Sequence, residues 1–536
     1  MGRGTPAREG AGALPLPAPL AYSGALLAGV LYWAAFGGMN VWPLAFVAQV
    51  PLLVAMRRQT VRRATLLGWL NGVTMTTTGF FWLQKMLETF GGFPSIICFF
   101  FVLVVCAYQG GRMALLGWLY GRAETRGWPA APVFAGAFAA SELCYPLLFP
   151  WYFGATVHQV PWLTQVADLG GPIAVGLLVV AVNLAIAEPI LARAERRKPS
   201  THILAAGAAT LVLGCAYGAL RVQMVDAAAA AAPAAKVGIV QADMGLVEKR
   251  SQYDEGLARH LDGSHRLRQK EGVDFVVWSE TSAMRPVRDD SYQQELRAGV
   301  ARRIGTPAIF GAVVYKRVND ARGYVLYNTA VASDAEGNVR SRYDKEYLLM
   351  FGEYLPFGET LPVLYSWSPN SGHFSPGTSF DPLVLHLGGV AHAVTPLICY
   401  EDILPEFTNE AVRHADPELL VNMTNDAWFG DTLEPWQHLA LAQFRAIEHR
   451  RYLVRGTNSG VSAVVDPVGR VVVHSGTFAV ETLSATIHWM RARTVYEWIG
   501  DWPWLIVTLL SFGAAFVRKP LKGKVPRPVQ GSAGGI

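Results

Sequence analysis

Thr395-Pro-Leu-Ile-Cys399-Tyr400-Glu401-Asp402 runs an apolar strand straight into a thiol followed by two acids. The chain has five cysteines. Cys98, Cys106, Cys144 and Cys215 lie in long apolar runs, whereas Cys399 alone falls in the polar half, which offers it no disulfide partner. In an oxidising compartment a lone thiol is a liability unless it has chemistry to do. The chemistry open to it is nucleophilic attack as the thiolate. A free cysteine is also often just a small buried hydrophobe, and the segment by itself leaves both readings open.

Away from this segment the composition is uneven. Residues up to about 224 are very poor in acids, whereas 236 to about 493 read as an ordinary soluble domain. At 536 residues the chain is too long for one small domain. With 51% apolar and 16% charged residues it falls among membrane–soluble hybrids. The net charge of +5 is small for this size and its basic residues cluster in short loops, which argues membrane topology over nucleic-acid binding.

A spanning helix needs about 20 apolar residues. Runs at 20–36, 39–55, 64–83, 95–120, 132–148, 170–191, 203–220 and 502–516 predict about eight spans. The first two are short and joined by Gly37-Gly38, so they also read as one tight hairpin. The first resembles a signal peptide, but its neighbours favour an uncleaved helix. Arg3 and Arg8 precede the first span, and Arg57, Arg58, Arg62 and Arg63 follow the second. Arg122 and Arg126 follow the fourth, Arg193, Arg196, Arg197 and Lys198 the sixth, and Arg518, Lys519, Lys522, Lys524 and Arg527 the last. The alternate loops hold almost none, Lys85 being the exception. Basic loops stay on the cytoplasmic side, so both termini are expected inside a bacterial inner (plasma) membrane and the polar segment outside, in the periplasm. The aromatic loop 149–162 fits an outer interfacial belt. Arg112 lies within the fourth apolar run and is expected to snorkel toward the inner headgroups with Arg122; the alternative is a functional intramembrane charge. The expected domains are a transmembrane domain of seven spans over 1–225, an outer polar domain over 235–492, a membrane helix over 500–518 and an inner tail over 519–536.

After an alanine-rich linker at 227–235, strands are expected at 236–241, 274–278, 308–315, 328–333, 390–398, 419–422, 462–466 and 471–475. Helical stretches at 251–270, 291–303, 405–415 and 434–450 fall between several of them. Such alternation predicts a layered α/β domain. The stretch 354–377 is rich in Pro, Gly and aromatics and reads as a lid or binding loop with an apolar contact.

Two further segments end in ionisable groups: Asp274-Phe-Val-Val-Trp278-Ser-Glu280-Thr and Tyr343-Asp-Lys345-Glu-Tyr-Leu-Leu-Met-Phe-Gly-Glu353. A thiol needs a base to become a nucleophile and a donor for the oxyanion that follows. Glu280 is the candidate base, if burial raises its pKa toward neutrality. Lys345 is the candidate to steady the thiolate and the oxyanion, and Glu353 to orient Lys345 or assist proton transfer. Singly, each has a plainer reading: a strand-end turn residue for Glu280, a solvated ion pair for Lys345 and Glu353.

In the order Glu, Lys, Cys, the segments Trp278-Ser-Glu280, Asp344-Lys345 and Ile398-Cys399-Tyr400-Glu401 resemble the nitrilase (carbon–nitrogen hydrolase) superfamily. That resemblance implies an αββα sandwich and a Glu280–Lys345–Cys399 triad. The same domain set before a last membrane span looks like the apolipoprotein N-acyltransferase family over nearly the full length. Supporting segments are Tyr327-Asn328-Thr329, Phe351-Gly-Glu353-Tyr354-Leu-Pro356, Asn425-Asp-Ala-Trp428-Phe-Gly430, Pro435-Trp436-Gln437-His438 and Thr457-Asn458-Ser-Gly460. The resemblance implies transfer of an acyl chain from a phospholipid to Cys399, then to the α-amino group of a diacylglyceryl-modified apolipoprotein at the bilayer surface. It also implies roles for Tyr400 and Glu401 beside the nucleophile and for Trp428 in an acceptor or lid region. Some members carry a tryptophan near the position of Arg250, where this chain reads Met244-Gly-Leu-Val-Glu-Lys-Arg250. No cofactor, metal or nucleic-acid partner is expected: His260, His265, His373 and His392 have no ligand-like spacing. Asn422-Met-Thr424 has sequon form but reads as a buried strand end. Two rivals share the residues: a membrane-tethered amidase or nitrile hydrolase using water, and a receptor or scaffold that merely binds.

Overall fold

The computed structural model describes residues 14–91, 94–245, 251–319, 323–358, 360, 361, 363–367 and 371–519. Arg3, Arg8, Arg250, Lys522, Lys524 and Arg527 lie outside the described residues, as do parts of the 354–377 loop and of the 519–536 tail.

Four described helices are long and apolar enough to cross a membrane: Ala18–Ala35, Ser95–Thr125, Ala167–Ala194 and Thr201–Ala231. The last has 31 residues and runs past its expected end at 220 into the alanine-rich linker. Shorter apolar helices occur at Ala130–Cys144 and Trp502–Phe516. The run expected at 39–55 forms a shorter apolar stretch, Trp42–Met56, divided into Trp42–Leu44, Ala45–Ala48 and Val50–Met56, with Pro43 and Pro51 entering new turns. Proline lacks an N–H and suits a helix start better than a middle. The 64–83 run forms Val61–Gly79, capped by Thr60, whose hydroxyl accepts from the Arg63 amide.

The expectation for Arg112 fails. It does not snorkel but is 1% exposed, donating to the Trp151 carbonyl and, at 3.0 Å, to the Tyr32 hydroxyl, with Glu142 at 3.6 Å. Glu142 in turn accepts from the Phe153 amide at 2.8 Å. A buried charge persists only when paired and hydrogen-bonded. Here the pair pins loop 149–162 against the helices.

At the other end of Val61–Gly79, some 28 Å away by helix rise, four basic loops meet. Arg57 pairs with Glu124 and, at 2.8 Å, with Glu195; Arg58 also reaches Glu195, at 3.0 Å. The Lys519 amide donates to the Arg126 carbonyl at 3.1 Å.

The polar half is two β-sheets between helical layers. Its strands are β1 (Ala234–Gln241), β2 (Phe275–Trp278), β3 (Val287–Arg288), β4 (Ala308–Arg317), β5 (Tyr324–Ser333), β6 (Val339–Asp344), β7 (Leu383–Leu387), β8 (Val390–Ile398), β9 (Leu419–Thr424), β10 (Leu453–Thr457), β11 (Ala463–Val465), β12 (Val471–His474) and β13 (Glu481–His488). One sheet has the order β13-β1-β2-β4-β5-β6, with β3 beside β4, and the other β12-β11-β10-β9-β8-β7. The β1–β2–β4 and β8–β9–β10 pairings are parallel, and antiparallel strands flank them.

Side chains alternate along each strand. Phe275 and Val277 of β2, with Val421 and Met423 of β9, fill the space between the sheets. Val276 and Trp278 face the helix Tyr253–Arg266 instead, where the Trp278 indole donates to the Ser264 hydroxyl at 2.8 Å. Leu420 and Leu453 likewise meet Leu439, Ala442 and Ala446 of the helix Glu434–His449. Strands covered on both faces explain the near-continuous apolar runs of the sequence. The αββα sandwich expected for this half is therefore present.

Candidate active site

Glu280 follows β2, Asn328 lies in β5, Lys345 follows β6 and Cys399 follows β8, so the site takes residues from both sheets. Glu280, Lys345 and Cys399 sit where strands end and the backbone turns, whereas Asn328 lies inside β5. Cys399 has φ +53° and opens the 3₁₀ turn Cys399–Ile403. Thr281, next to Glu280, has φ +51°. Non-glycine residues at positive φ cost energy and recur at functional sites. Gly311 of β4 makes room for the Glu280 turn: a Cβ there would lie 2.4 Å from the Thr281 nitrogen.

One hydrogen-bond chain links the acids and the amine. Asn328 Nδ2 donates to Glu280 Oε1 at 2.6 Å and to Glu353 Oε1 at 2.9 Å. Lys345 Nζ donates to Glu353 Oε2 at 2.6 Å. Lys345 is 1% exposed, so the Lys345–Glu353 pair is not the solvated surface pair of the plainer reading. Burial works against the Lys345 ammonium, yet the negative charges of Glu353, Glu280 and Glu401 hold its pKa above the ordinary range.

Cys399 is 8% exposed. Burial and then the Glu280 charge push its thiol pKa up, and the opposing pulls of Lys345 and of a Thr424 hydrogen bond do not cancel them. The resting group is a thiol, not a preformed thiolate. Glu280 is the carboxylate whose charge acts most strongly on it.

Glu401 ties the cysteine turn to the lysine segment. Its Oε2 accepts from the Ile398 amide at 2.7 Å; its Oε1 accepts from the Tyr343 hydroxyl at 2.9 Å, the Glu346 amide at 2.9 Å and the Tyr347 amide at 3.0 Å. Burial lifts its pKa to about 7 against Lys345 and these donors. Tyr400 stacks on Tyr347 with centroids 5.6 Å apart and donates to the Leu148 carbonyl at 2.6 Å. The Cys399–Ile403 turn thus reaches Leu148 and Phe149, where loop 149–162 begins. Trp428 sits half-buried in the turn Asp426–Phe429, not among the acid–amine chain. Its neighbour Phe429 packs on Trp82 at 4.9 Å, next to the membrane helices.

A cavity of about 430 Å³ opens beside the lysine segment, lined by Glu346, Tyr347, Tyr354, Leu355, Tyr365 and Phe374. Phe357 is 77% exposed and Phe351 58%, so the loop ahead of this cavity offers apolar rings outward.

A buried network behind Cys399 went unnoticed in the sequence. Arg455 donates to Asp402 at 2.8 Å, Asp426 at 3.0 Å and Asn422 at 2.7 Å. Asn422, of the discounted sequon, is fully buried and donates to the Leu397 and Cys399 carbonyls at 3.0 and 3.3 Å. His438 lies 2.7 Å from Asp402 and 3.3 Å from Asp426. Burial and Arg455 oppose its charge, but Asp402 and Asp426 outweigh them and lift its pKa to about 10. Asp426, Glu434 and His438 offer ligand atoms within 4.8 Å of one another. Arg455 already donates to Asp426, and His438 lies between Asp402 and Asp426, so the donor set fits a salt network better than a metal site. The only sequence hint was arginine and histidine inside otherwise apolar elements.

The two-sheet domain is of the nitrilase-like α/β kind, and the carbon-nitrogen hydrolase family profile matches residues 236–496. The profile of the apolipoprotein N-acyltransferase N-terminal domain matches residues 28–185. Apolipoprotein N-acyltransferase of Azotobacter vinelandii is 31% identical, covering 94% of this chain and 96% of its own. That of Pseudomonas putida is 30% identical over 94% and 97%, and that of Geobacter metallireducens 29% over 93% and 96%. Among solved structures, an amidase from Nesterenkonia sp. aligns at 20% identity over 47% of this chain and 89% of that one, with a TM-score of 0.33. The chain belongs to the apolipoprotein N-acyltransferase family.

Proposed function

We propose that this enzyme moves an acyl chain from a membrane phospholipid to the α-amino group of a diacylglyceryl-modified lipoprotein, through a thioester on Cys399. The Cys399 sulfur attacks the ester carbonyl carbon as Glu280 takes the thiol proton. The Lys345 ammonium, held by Glu353, steadies the oxyanion. Collapse breaks the ester C–O bond, and the proton on Glu280 goes to the departing lysophospholipid oxygen. In the second half the neutral amine attacks the thioester carbonyl, Glu280 accepts its proton, and breaking the C–S bond returns that proton to sulfur. This is ping-pong chemistry with one base. Water would hydrolyse the thioester, so the loop over 354–377 serves as a lid.

The observation that carries this reading is the chain Glu280–Asn328–Glu353–Lys345, which acts electrostatically on Cys399. Its place supports lipid substrates: Tyr400, next to Cys399, is hydrogen-bonded to Leu148 at the end of the membrane bundle. The relatives' name points to the acceptor. The basic loops gathered far from this end support an inner-membrane orientation with the catalytic domain periplasmic and both termini cytoplasmic. In this reading residues 1–225 and 500–518 are membrane domains, with about eight spans in all, and 235–492 is catalytic.

The test is incubation of the purified protein with phospholipid and a diacylated lipopeptide. A triacylated peptide is expected. An unchanged peptide alongside released fatty acid would assign the site to hydrolysis instead.

A further inference from the structure

The triplet Asn422-Met-Thr424 closes β9 and turns both of its polar side chains toward Cys399. Residues two apart on a strand share a face. β8 and β9 run parallel, pairing Leu397 with Asn422 and Ile398 with Met423, so the next step along both strands sets Cys399 beside Thr424. Asn422 holds the Cys399 carbonyl at 3.3 Å, and the Thr424 hydroxyl hydrogen-bonds the Cys399 sulfur. Both residues are fully buried, so water does not compete for them.

Thr424 has a second acceptor. Its Oγ1 donates to Asp426 Oδ1 at 3.2 Å. A hydroxyl carries one proton, so it serves the carboxylate or the sulfur but not both at once. Asp426 can release it. Its Oδ1 also lies 3.3 Å from His438 Nδ1, and its Oδ2 accepts from Arg455 at 3.0 Å. Burial pushes the Asp426 pKa up, but Arg455 and then His438 outweigh it and hold the carboxyl below its ordinary value. The carboxylate stays charged and paired whichever way the hydroxyl points. The sulfur, by contrast, changes as an acceptor during reaction. A thiol or thioester sulfur accepts weakly, whereas one bearing negative charge accepts strongly. The hydroxyl therefore rests on Asp426 while the sulfur is neutral and turns to the sulfur as charge builds there. That turn needs only rotation about the Thr424 Cβ–Oγ1 bond.

We infer that Thr424 is a further catalytic residue, a rotating donor that stabilises the Cys399 sulfur whenever that sulfur carries negative charge. This role rests on the thioester chemistry proposed for Cys399, in which the charge appears twice. It appears first as Glu280 takes the thiol proton and the sulfur attacks the ester carbon. It appears again as the C–S bond breaks after the amine has added. Thr424 keeps its own proton in both steps, and only the direction of its O–H changes. Glu280, Lys345 and Glu353 act on the same sulfur through their charges, and Thr424 adds a neutral donor.

The test uses the purified full chain in mixed detergent–phospholipid micelles. Thr424→Val keeps the side-chain shape and loses the hydroxyl, while Thr424→Ser keeps the hydroxyl. Thr424→Val is expected to slow thioester formation and its release by a lipopeptide amine about thirtyfold each, with the phospholipid concentration for half-maximal rate unchanged. Thr424→Ser is expected to stay within about threefold of wild type in both steps. A second readout needs no acyl donor: alkylation of Cys399 by iodoacetamide at one fixed pH, which follows the thiolate fraction. It is expected to fall about tenfold in Thr424→Val and to recover in Thr424→Ser. Burial is the main cause that raises this thiol's pKa, so a merely loosened site would be alkylated faster, not slower. Alkylation in Thr424→Val at the wild-type rate or above it overturns the inference, as does Thr424→Ser as slow as Thr424→Val. Slower alkylation in Thr424→Val, in a protein whose wild type forms no thioester, would sustain the sulfur–hydroxyl contact and remove the acyl-transfer reading instead.

Discussion

Asn328 sits between Glu280 and Glu353, its one amide nitrogen donating to both carboxylates, at 2.6 and 2.9 Å. Two acids are thereby held at fixed positions by a neutral residue that cannot itself exchange a proton with them. Asn328→Asp places a third negative charge between them and leaves no donor. Acyl-enzyme formation is expected to fall at least about 100-fold, while Asn328→Leu, which only loosens Glu280, costs about tenfold. Single-turnover kinetics on a phospholipid measure both, and equal rates for Asp and Leu would show that charge is irrelevant there.

Lys345 and Glu353 are a buried pair, and removing one partner strands the other. Lys345→Met is expected to cost about 3 kcal/mol of stability and nearly all thioester formation. Adding Glu353→Gln relieves the stranded charge. The double variant should regain melting temperature but not activity; recovery of both would make the lysine purely structural.

The network behind the nucleophile has a pH signature. His438 has a folded pKa of about 10 against an ordinary 6.5. A raised pKa stabilises the fold fully below the unfolded value and loses that effect as pH climbs through the folded one. The stability difference between wild type and His438→Gln should therefore be largest below about pH 6.5 and shrink toward pH 10. Denaturation in detergent across that window reads it, and a difference that grows with pH contradicts the charge assignment.

Tyr400→Phe removes the hydrogen bond to Leu148 and keeps the ring stack on Tyr347. A neutral hydrogen bond is worth about 1 kcal/mol. Reaction with a bilayer phospholipid is expected to drop roughly fivefold more than reaction with a soluble ester, because the tyrosine ties the nucleophile turn to the membrane bundle. Equal losses on both substrates would deny it that coupling.

The positions of Glu280 and Cys399 after β2 and β8 were legible because strands covered on both faces read as apolar runs. The strands missed tell why the rest was not. β6 reads Val-Arg-Ser-Arg-Tyr-Asp, and its charges find Asp289 and Asp344 only after folding. β10 carries Arg455 and Gly456, unpromising in a buried strand until Asp402 and Asp426 arrive from distant segments. Arg112 was misread for the same reason: its partners Tyr32, Glu142 and Trp151 are 30 or more positions away. Hydropathy told where apolar runs lie but not where they break, as the proline-divided pieces between Trp42 and Met56 show.

The central claim is that Cys399 holds the acyl chain. Intact mass of the protein after incubation with one defined phospholipid, without acceptor, tests it most directly. The expected result is a single increment equal to one acyl chain, mapped to Cys399, absent in Cys399→Ala and released by an added lipopeptide amine. An increment that persists in Cys399→Ala, or acylated product formed by that variant, would contradict the account.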